Sequence, residues 1–159
     1  MTTEQIKKGN KLIAEFMGKT VLSKDDYNGK AENLKYDVNY YDKVEIIEFT
    51  RYHSEFNWLM PVLEKIENIE NAYGFYESRI FSPAWNKTYK YGCFIYSDEQ
   101  MRNITESESN IKINAVYEAV IKFIKHYNAE AEIKKQIKTD IQTKLKENGI
   151  WQIINNLLY

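Results

Sequence analysis

The chain has 159 residues, of which 43% are hydrophobic, 14% aromatic and 28% charged, with 22 basic and 23 acidic side chains. This composition is typical of one globular domain, and a chain of this length buries roughly 70% of its unfolded surface. It excludes a disordered chain, because aromatic residues are too frequent, and a membrane span, because no apolar run approaches about 18 residues. The net charge of −1 excludes a dedicated binder of duplex DNA.

The first residues and the cysteine content indicate the compartment. The N-terminus reads MTTEQIKK and has no apolar stretch of the kind found in signal peptides. The single cysteine, Cys93, cannot form an intramolecular disulfide, which agrees with a reducing environment. We therefore expect the chain to act in the cytoplasm, without a membrane partner.

Three elements are predicted before residue 50. Apolar residues at helical spacing predict a helix over residues 4–17, which ends with Gly18 in the left-handed conformation. Residues 19–43 are rich in turn formers and predict a long surface loop inserted into the domain. An imperfect alternation of apolar residues predicts a strand over Val44–Phe49.

A second helix and a strand pair follow. The helix is predicted to start at Ser54 or Asn57 and to end at Asn71, with apolar residues three and four positions apart. Strands are predicted over Phe75–Phe81 and Tyr89–Tyr96, and the short connection between them favours antiparallel pairing.

The last third of the chain carries two apolar stripes at helical spacing. After a polar connection over residues 98–108, a helix is predicted to begin at Ser109 or Asn110, with a first stripe over residues 113–127. The second stripe consists of Ile133, Ile137, Ile141 and Leu145. Ile133 lies roughly 200° around the helix axis from Ile113, and from this we expect that the two stripes do not face the same surface on a straight helix. Either the helix therefore ends near Asn128, or one long helix packs its second half against another surface.

Together these elements predict the α+β class, with a small, largely antiparallel sheet layered with helices in an α/β/α sandwich-like arrangement. Residues 1–128 are predicted to form this domain, with the loop insertion at 19–43. Residues 129–159 are predicted to form an amphipathic helical extension that ends in an apolar segment. Such a segment must dock on the domain or on a second copy, so a homodimer through residues 130–158 is one prediction.

Three segments resemble the phage ABA sandwich domain family. They are Asn10–Gly18 (NKLIAEFMG), Tyr52–Glu67 (YHSEFNWLMPVLEKIE) and Ile113–Tyr127 (INAVYEAVIKFIKHY). The resemblance covers residues 4–128 and implies an α/β/α layered fold in a phage or prophage protein. The family carries no established activity, so the resemblance implies no catalytic residues.

Candidate residues for catalysis or metal binding are few. Cys93 and His53 are the one thiol–imidazole pair to consider, but a cysteine in mid-strand is usually a small buried hydrophobe. Two histidines and one cysteine are too few for a four-ligand zinc site. The segment 37–48 touches the spacing of a calcium-binding EF-hand loop, but Asp42 stands where glycine is needed. We therefore predict no catalytic residues, no metal and no cofactor.

Tyrosine and lysine clusters are the features that indicate binding. The chain has 13 tyrosines, and tyrosine adds interface area with little loss of entropy, while aromatic rings also stack on single-stranded bases. Lysines on an amphipathic helix favour an acidic partner or a second subunit. The predicted binding residues are Trp85, Lys87, Tyr89, Lys90, Tyr91, Lys134, Lys135, Lys138 and Lys144.

These features lead to a hypothesis about function. The chain is predicted to be a non-catalytic, phage-type accessory protein that binds a host protein or ribonucleoprotein in the host cytoplasm. The leading version is an inhibitor of a bacterial defence system, of the anti-CRISPR kind, that occludes an effector protein or its RNA; this step rests on analogy. The alternatives are an oligomeric sponge for a nucleotide signal, an enzyme acting through Cys93 and His53 or through a carboxylate pair, and a phage structural or replication accessory protein.

Overall fold

A computed structural model describes residues 1–25, 44–69, 73–81, 89–97 and 100–147 of the chain. In chain order the elements are helix α1 (Thr3–Phe16), strands β1 (Thr20–Leu22) and β2 (Val44–Ile46), helix α2 (Phe56–Glu67), strands β3 (Tyr73–Phe81), β4 (Tyr89–Ser97) and β5 (Arg102–Ser109), and helix α3 (Lys112–Glu147). The predicted α+β class with a C-terminal helix is confirmed, as is the antiparallel pairing of β3 with β4.

The predicted insertion at 19–43 begins with a strand. Thr20–Leu22 forms β1 and pairs in parallel with β2, so these strands make a two-stranded sheet separate from the antiparallel sheet β3-β4-β5. The strand predicted over Val44–Phe49 is shorter than expected, because the chain turns after Ile46, whose carbonyl accepts from the Phe49 N–H at 2.9 Å. Residues 26–43 of the insertion lie outside the described residues.

The connection predicted over residues 98–108 contains strand β5, which pairs antiparallel with β4. Its inward-facing residues are Thr105 and Ser107, which are 9% and 5% exposed. Threonine and serine are polar, so the strand shows no alternation of apolar and polar residues, and a search for hydrophobic periodicity does not detect it. The structure corrects the prediction because the hydroxyls find partners that only the folded chain provides.

Helix α1 has an ordered cap at each end. The Thr2 hydroxyl accepts from the Gln5 N–H at 3.3 Å and Gln5 Oε1 accepts from the Thr2 N–H at 2.8 Å, which is a capping box. Gly18 has a φ of 79°, as predicted, and the next N–H, of Lys19, donates to the Ala14 carbonyl at 2.9 Å. This pattern is a Schellman motif, in which a left-handed glycine turns the chain out of the helix.

Helix α3 is continuous from Lys112 to Glu147, so it does not end near Asn128. The chain nevertheless divides into two compact units, Met1–Ile124 and Lys125–Tyr159. In the first unit the helix is buried at Ala115, Val116, Tyr117, Ala119, Val120, Phe123 and Ile124. The boundary between the units falls within the helix, close to the end of this buried stretch.

Hydrogen bonds fix the position of α3 on the antiparallel sheet. The Thr105 hydroxyl donates to the Ala119 carbonyl at 3.2 Å, and the Ser107 hydroxyl donates to the Ala115 carbonyl. The two hydroxyls are two residues apart on the strand, a rise of about 6.7 Å, and the two carbonyls are four residues apart on the helix, a rise of about 6 Å. Because these spacings match, both hydrogen bonds form together. Alanine at both helix positions lets the backbone approach the strand closely.

A buried polar network joins α3 to α1. The Tyr117 hydroxyl lies 3.0 Å from both Asn10 Oδ1 and the Ile6 carbonyl oxygen. The Asn10 amide nitrogen donates to the Thr50 hydroxyl at 3.0 Å and to the Thr50 carbonyl at 3.1 Å. Glycine is required at position 9, because a β-carbon there would overlap the Tyr117 hydroxyl. The network satisfies polar groups that would otherwise be costly to bury.

Replacing Asn10 with alanine is expected to lower the free energy of unfolding by about 2–4 kcal/mol, because it leaves the buried Thr50 carbonyl without its donor. Equilibrium unfolding in urea measures this difference. The matched control is Asn57→Ala in α2, where the side chain is exposed and the change should stay within about 0.5 kcal/mol. Equal effects of the two substitutions would contradict the role of the network.

Two buried tyrosines are held in the neutral form. Burial raises the pKa of Tyr117 above its ordinary value of 10.0. Burial raises the pKa of Tyr52 as well, and the hydrogen bond and negative charge of Glu45 raise it further. The Tyr52 hydroxyl donates to Glu45 Oε1 at 2.8 Å. A raised pKa means that the folded chain keeps a proton that the unfolded chain loses.

Both tyrosines are therefore expected to contribute stability below about pH 10 that is lost as the pH rises above this value. The free energy of unfolding should fall by about 1.4 kcal/mol per pH unit for each tyrosine. Tyr117→Phe and Tyr52→Phe should each remove the contribution of one tyrosine to this fall in the free energy of unfolding with pH. Urea unfolding at a series of alkaline pH values measures the fall. Slopes that stay unchanged in both variants would refute the prediction.

Candidate functional site

The second half of α3 exposes a row of isoleucines. Ile133, Ile137 and Ile141 are 59%, 52% and 53% exposed. Because they stand four residues apart, they cover about 80° of the helix circumference, and we call them the isoleucine row. Large apolar side chains that are exposed together and bordered by polar residues are typical of interaction sites.

Lysines border this row on one side. Lys134, Lys135 and Lys138 are exposed and lie within about 100° of one another around the helix; we call them the lysine face. Lys144, also exposed, lies only about 20° from the direction of Ile137. The structure thus brings together three of the four lysines predicted on this helix and places the fourth in line with the isoleucine row.

Polar side chains of the same segment interact along the helix itself. The Gln136 side-chain nitrogen donates to Asp140 at 2.8 Å, and the Thr139 hydroxyl donates to the Lys135 carbonyl at 3.0 Å. His126 Nε2 lies 3.2 Å from Glu130 Oε1, at an angle outside hydrogen-bond geometry. The Gln136–Asp140 pair, four residues apart, stabilises the helix locally by about 0.2–0.5 kcal/mol.

The other predicted binding residues lie at or before β4. Trp85 and Lys87 fall outside the described residues, and Tyr89 is the first residue of β4. Lys90 is exposed, with its Nζ 3.5 Å from Glu108 Oε2, whereas Tyr91 is half-buried. Successive residues of a strand point to opposite faces, so Lys90 and Tyr91 do not share one surface, contrary to their grouping by sequence.

A cavity of about 250 Å³ lies beside the β4–β5 pair. Glu106, Glu108 and Lys122 line it, and Lys122 Nζ donates to the Glu106 carbonyl at 2.6 Å. The cavity has two carboxylates, of Glu106 and Glu108, and one ammonium group, of Lys122, which already donates to a backbone carbonyl. The excess of negative charge makes the cavity unfavourable for a phosphate. It therefore does not favour the nucleotide sponge.

The Cys93 thiol and the His53 imidazole, the candidate catalytic pair, both lie among packed side chains. Cys93, which also lines the cavity, is 1% exposed. His53 Nδ1 lies 3.3 Å from the Asn10 amide nitrogen, and its ring meets the Tyr117 ring edge-on at 6.3 Å. In the described ranges, no three His, Cys, Asp or Glu side chains are grouped so that they could hold a metal ion.

Comparison with protein-family models finds no match, and comparisons with curated proteins and with solved structures find none either. In the part of the chain that the structure describes, no helix combines the length and apolar character of a membrane span.

One relevant residue was not singled out by the sequence analysis. Glu130 lies about 20° from the direction of Ile137, on the side opposite to Lys144. The detectable signal was the charge order of the segment, in which Glu130 and Glu132 precede Lys144 and Lys146. A search for lysines alone overlooks this order.

Proposed function

We propose that the chain is a binding protein of the phage accessory type, which acts in the host cytoplasm by occluding a host component. The observation that carries the proposal is the exposed second half of α3, with its isoleucine row and adjoining lysine face. The lysine face offers a partner positive charge, and the isoleucine row beside it marks this half of the helix as an interaction surface.

The partner is expected to present an acidic surface. The lysine face carries three ammonium groups within about 100° of helix surface, and Lys134, Lys135 and Lys138 are exposed. Such a face attracts carboxylate-rich protein surfaces or the phosphates of single-stranded RNA. An effector of a bacterial defence system, of the CRISPR kind, is the proposed target, and the resemblance of residues 4–128 to phage proteins supports this choice.

A triple variant of the lysine face tests the proposal. Tagged chain is expected to capture an effector component from a lysate of a CRISPR-active host. Lys134→Glu/Lys135→Glu/Lys138→Glu should weaken the affinity for the purified component at least ~10-fold, because attraction becomes repulsion. The binding constant is measured by interferometry, and treatment with RNase shows whether the contact is to protein or RNA.

The matched control reverses three exposed lysines of α1, Lys7, Lys8 and Lys11. It changes the net charge equally and removes only exposed ion pairs, which contribute little. The control should bind like the unchanged chain. In cells with an active CRISPR system, expression of the chain and of the control should restore phage plaques, whereas the lysine-face variant should not. Capture of no effector component, or equal binding by both triple variants, would count against the proposal.

A further inference from the structure

The isoleucine row and the two charges in line with it form a self-complementary pattern. Ile133 and Ile141 stand four residues on either side of Ile137, and Glu130 and Lys144 stand seven residues on either side. All five lie within about 40° of the direction of Ile137 at about 100° per residue. Reversing the helix about Ile137 therefore places isoleucine opposite isoleucine and Glu130 opposite Lys144.

We propose that the isoleucine row binds the same row of a second copy, with the two helices antiparallel about a two-fold axis at Ile137. In this arrangement Ile137 contacts its own counterpart, and Ile133 of each copy contacts Ile141 of the other. The surface is isologous, as a two-fold interface requires.

Charge complementarity selects the antiparallel orientation. Glu130 and Lys144 lie about 10 Å from Ile137 along the axis, at about 1.5 Å per residue. An antiparallel pair brings Glu130 of each copy against Lys144 of the other, whereas a parallel pair would oppose like charges. The contact requires a shallow crossing angle of about 20°, because helices crossing at about 50° diverge before they reach these residues.

The two-fold axis also gathers the lysine faces. Lys134 and Lys138 lie on one side of the row and Asp140 on the other, about 60–100° from Ile137. A two-fold axis perpendicular to both helices keeps each side of the row on the same side of the pair. The dimer thus presents these lysines of both copies on one face. The inference does not depend on the proposed function, but it doubles the basic surface on which that function relies.

Sedimentation velocity of the full chain measures the association directly. Because the contact area is small, we expect a dimer with a dissociation constant of about 1–100 μM. Ile137→Glu places two carboxylates at the axis and should raise this constant at least ~100-fold. The control is Ile111→Glu, since Ile111 is 57% exposed and precedes the helix, and it should leave the constant unchanged. Far-UV circular dichroism checks that both variants are folded.

A charge exchange tests the orientation. Glu130→Lys and Lys144→Glu should each raise the dissociation constant roughly 3- to 10-fold, because each opposes like charges. The double variant restores opposite charges and should return the constant to within about 2-fold of the original. A parallel pair opposes like charges in the original chain and in every one of these variants, so single variants that leave the constant unchanged, or a double variant no tighter than the single ones, would overturn the antiparallel arrangement.

Oxidative cross-linking locates the axis. Helix axes about 8–10 Å apart bring the two copies of residue 137 within disulfide distance, so Ile137→Cys should form a covalent dimer. Ile133→Cys should not, since its two copies lie about 12 Å apart along the axis, whereas Ile133→Cys/Ile141→Cys should. Cross-linking of Ile133→Cys alone would overturn the proposal in favour of a parallel pair.

A monomeric mass at all concentrations, or a dimer that Ile137→Glu does not weaken, would overturn the inference. The first outcome would mean that the row is covered within its own chain or by a host protein. A monomer that captures the effector would leave the proposed function intact, and a dimer that captures nothing would refute the proposed function alone.

Discussion

The hydrogen bond between the Tyr117 hydroxyl and Asn10 is the contact on which the first unit depends. It joins residues 107 positions apart and, through Asn10, also reaches the backbone of Thr50. Because these groups are buried, breaking the contact costs the desolvation of each polar atom left unpaired. Glycine at position 9 is a condition for this contact, since any side chain there would meet the tyrosine.

Tyr117 joins the first part of α3 to α1 within the first unit. At about 100° per residue, Ile133, Ile137 and Ile141 each stand five full turns after a buried residue of the same helix, namely Ala115, Ala119 and Phe123. The first stripe supplies the core, with Val116, Val120 and Ile124 each at most 1% exposed. The isoleucine row, in the second unit, is exposed. Helix α3 therefore carries apolar side chains at the same helical angles in both units, buried in the first and exposed in the second.

A surface of this kind combines two properties that serve recognition in different ways. Apolar contact between isoleucines contributes affinity but does not select the relative orientation of the two helices. In the proposed pair, Glu130 and Lys144 select one orientation through their order along the helix. The lysine face lies to one side of this contact and remains available to an acidic partner. In the arrangement we propose, a second copy covers the isoleucine row and the lysine face is the side of the helix that recognises a host component, so separate substitutions can distinguish the two.

The local sequence pattern predicted the helices, the strand pair β3–β4, the cap at Gly18 and the exposed lysines of α3, because periodicity and turn chemistry act over a few residues. It did not reveal strand β5, whose inward residues Thr105 and Ser107 become favourable only beside the helix carbonyls that accept from them. The parallel pairing of β1 with β2 and the network around Asn10 likewise join segments far apart in the chain. Tertiary structure decided these features, since the partner that makes each residue suitable is absent from its local sequence.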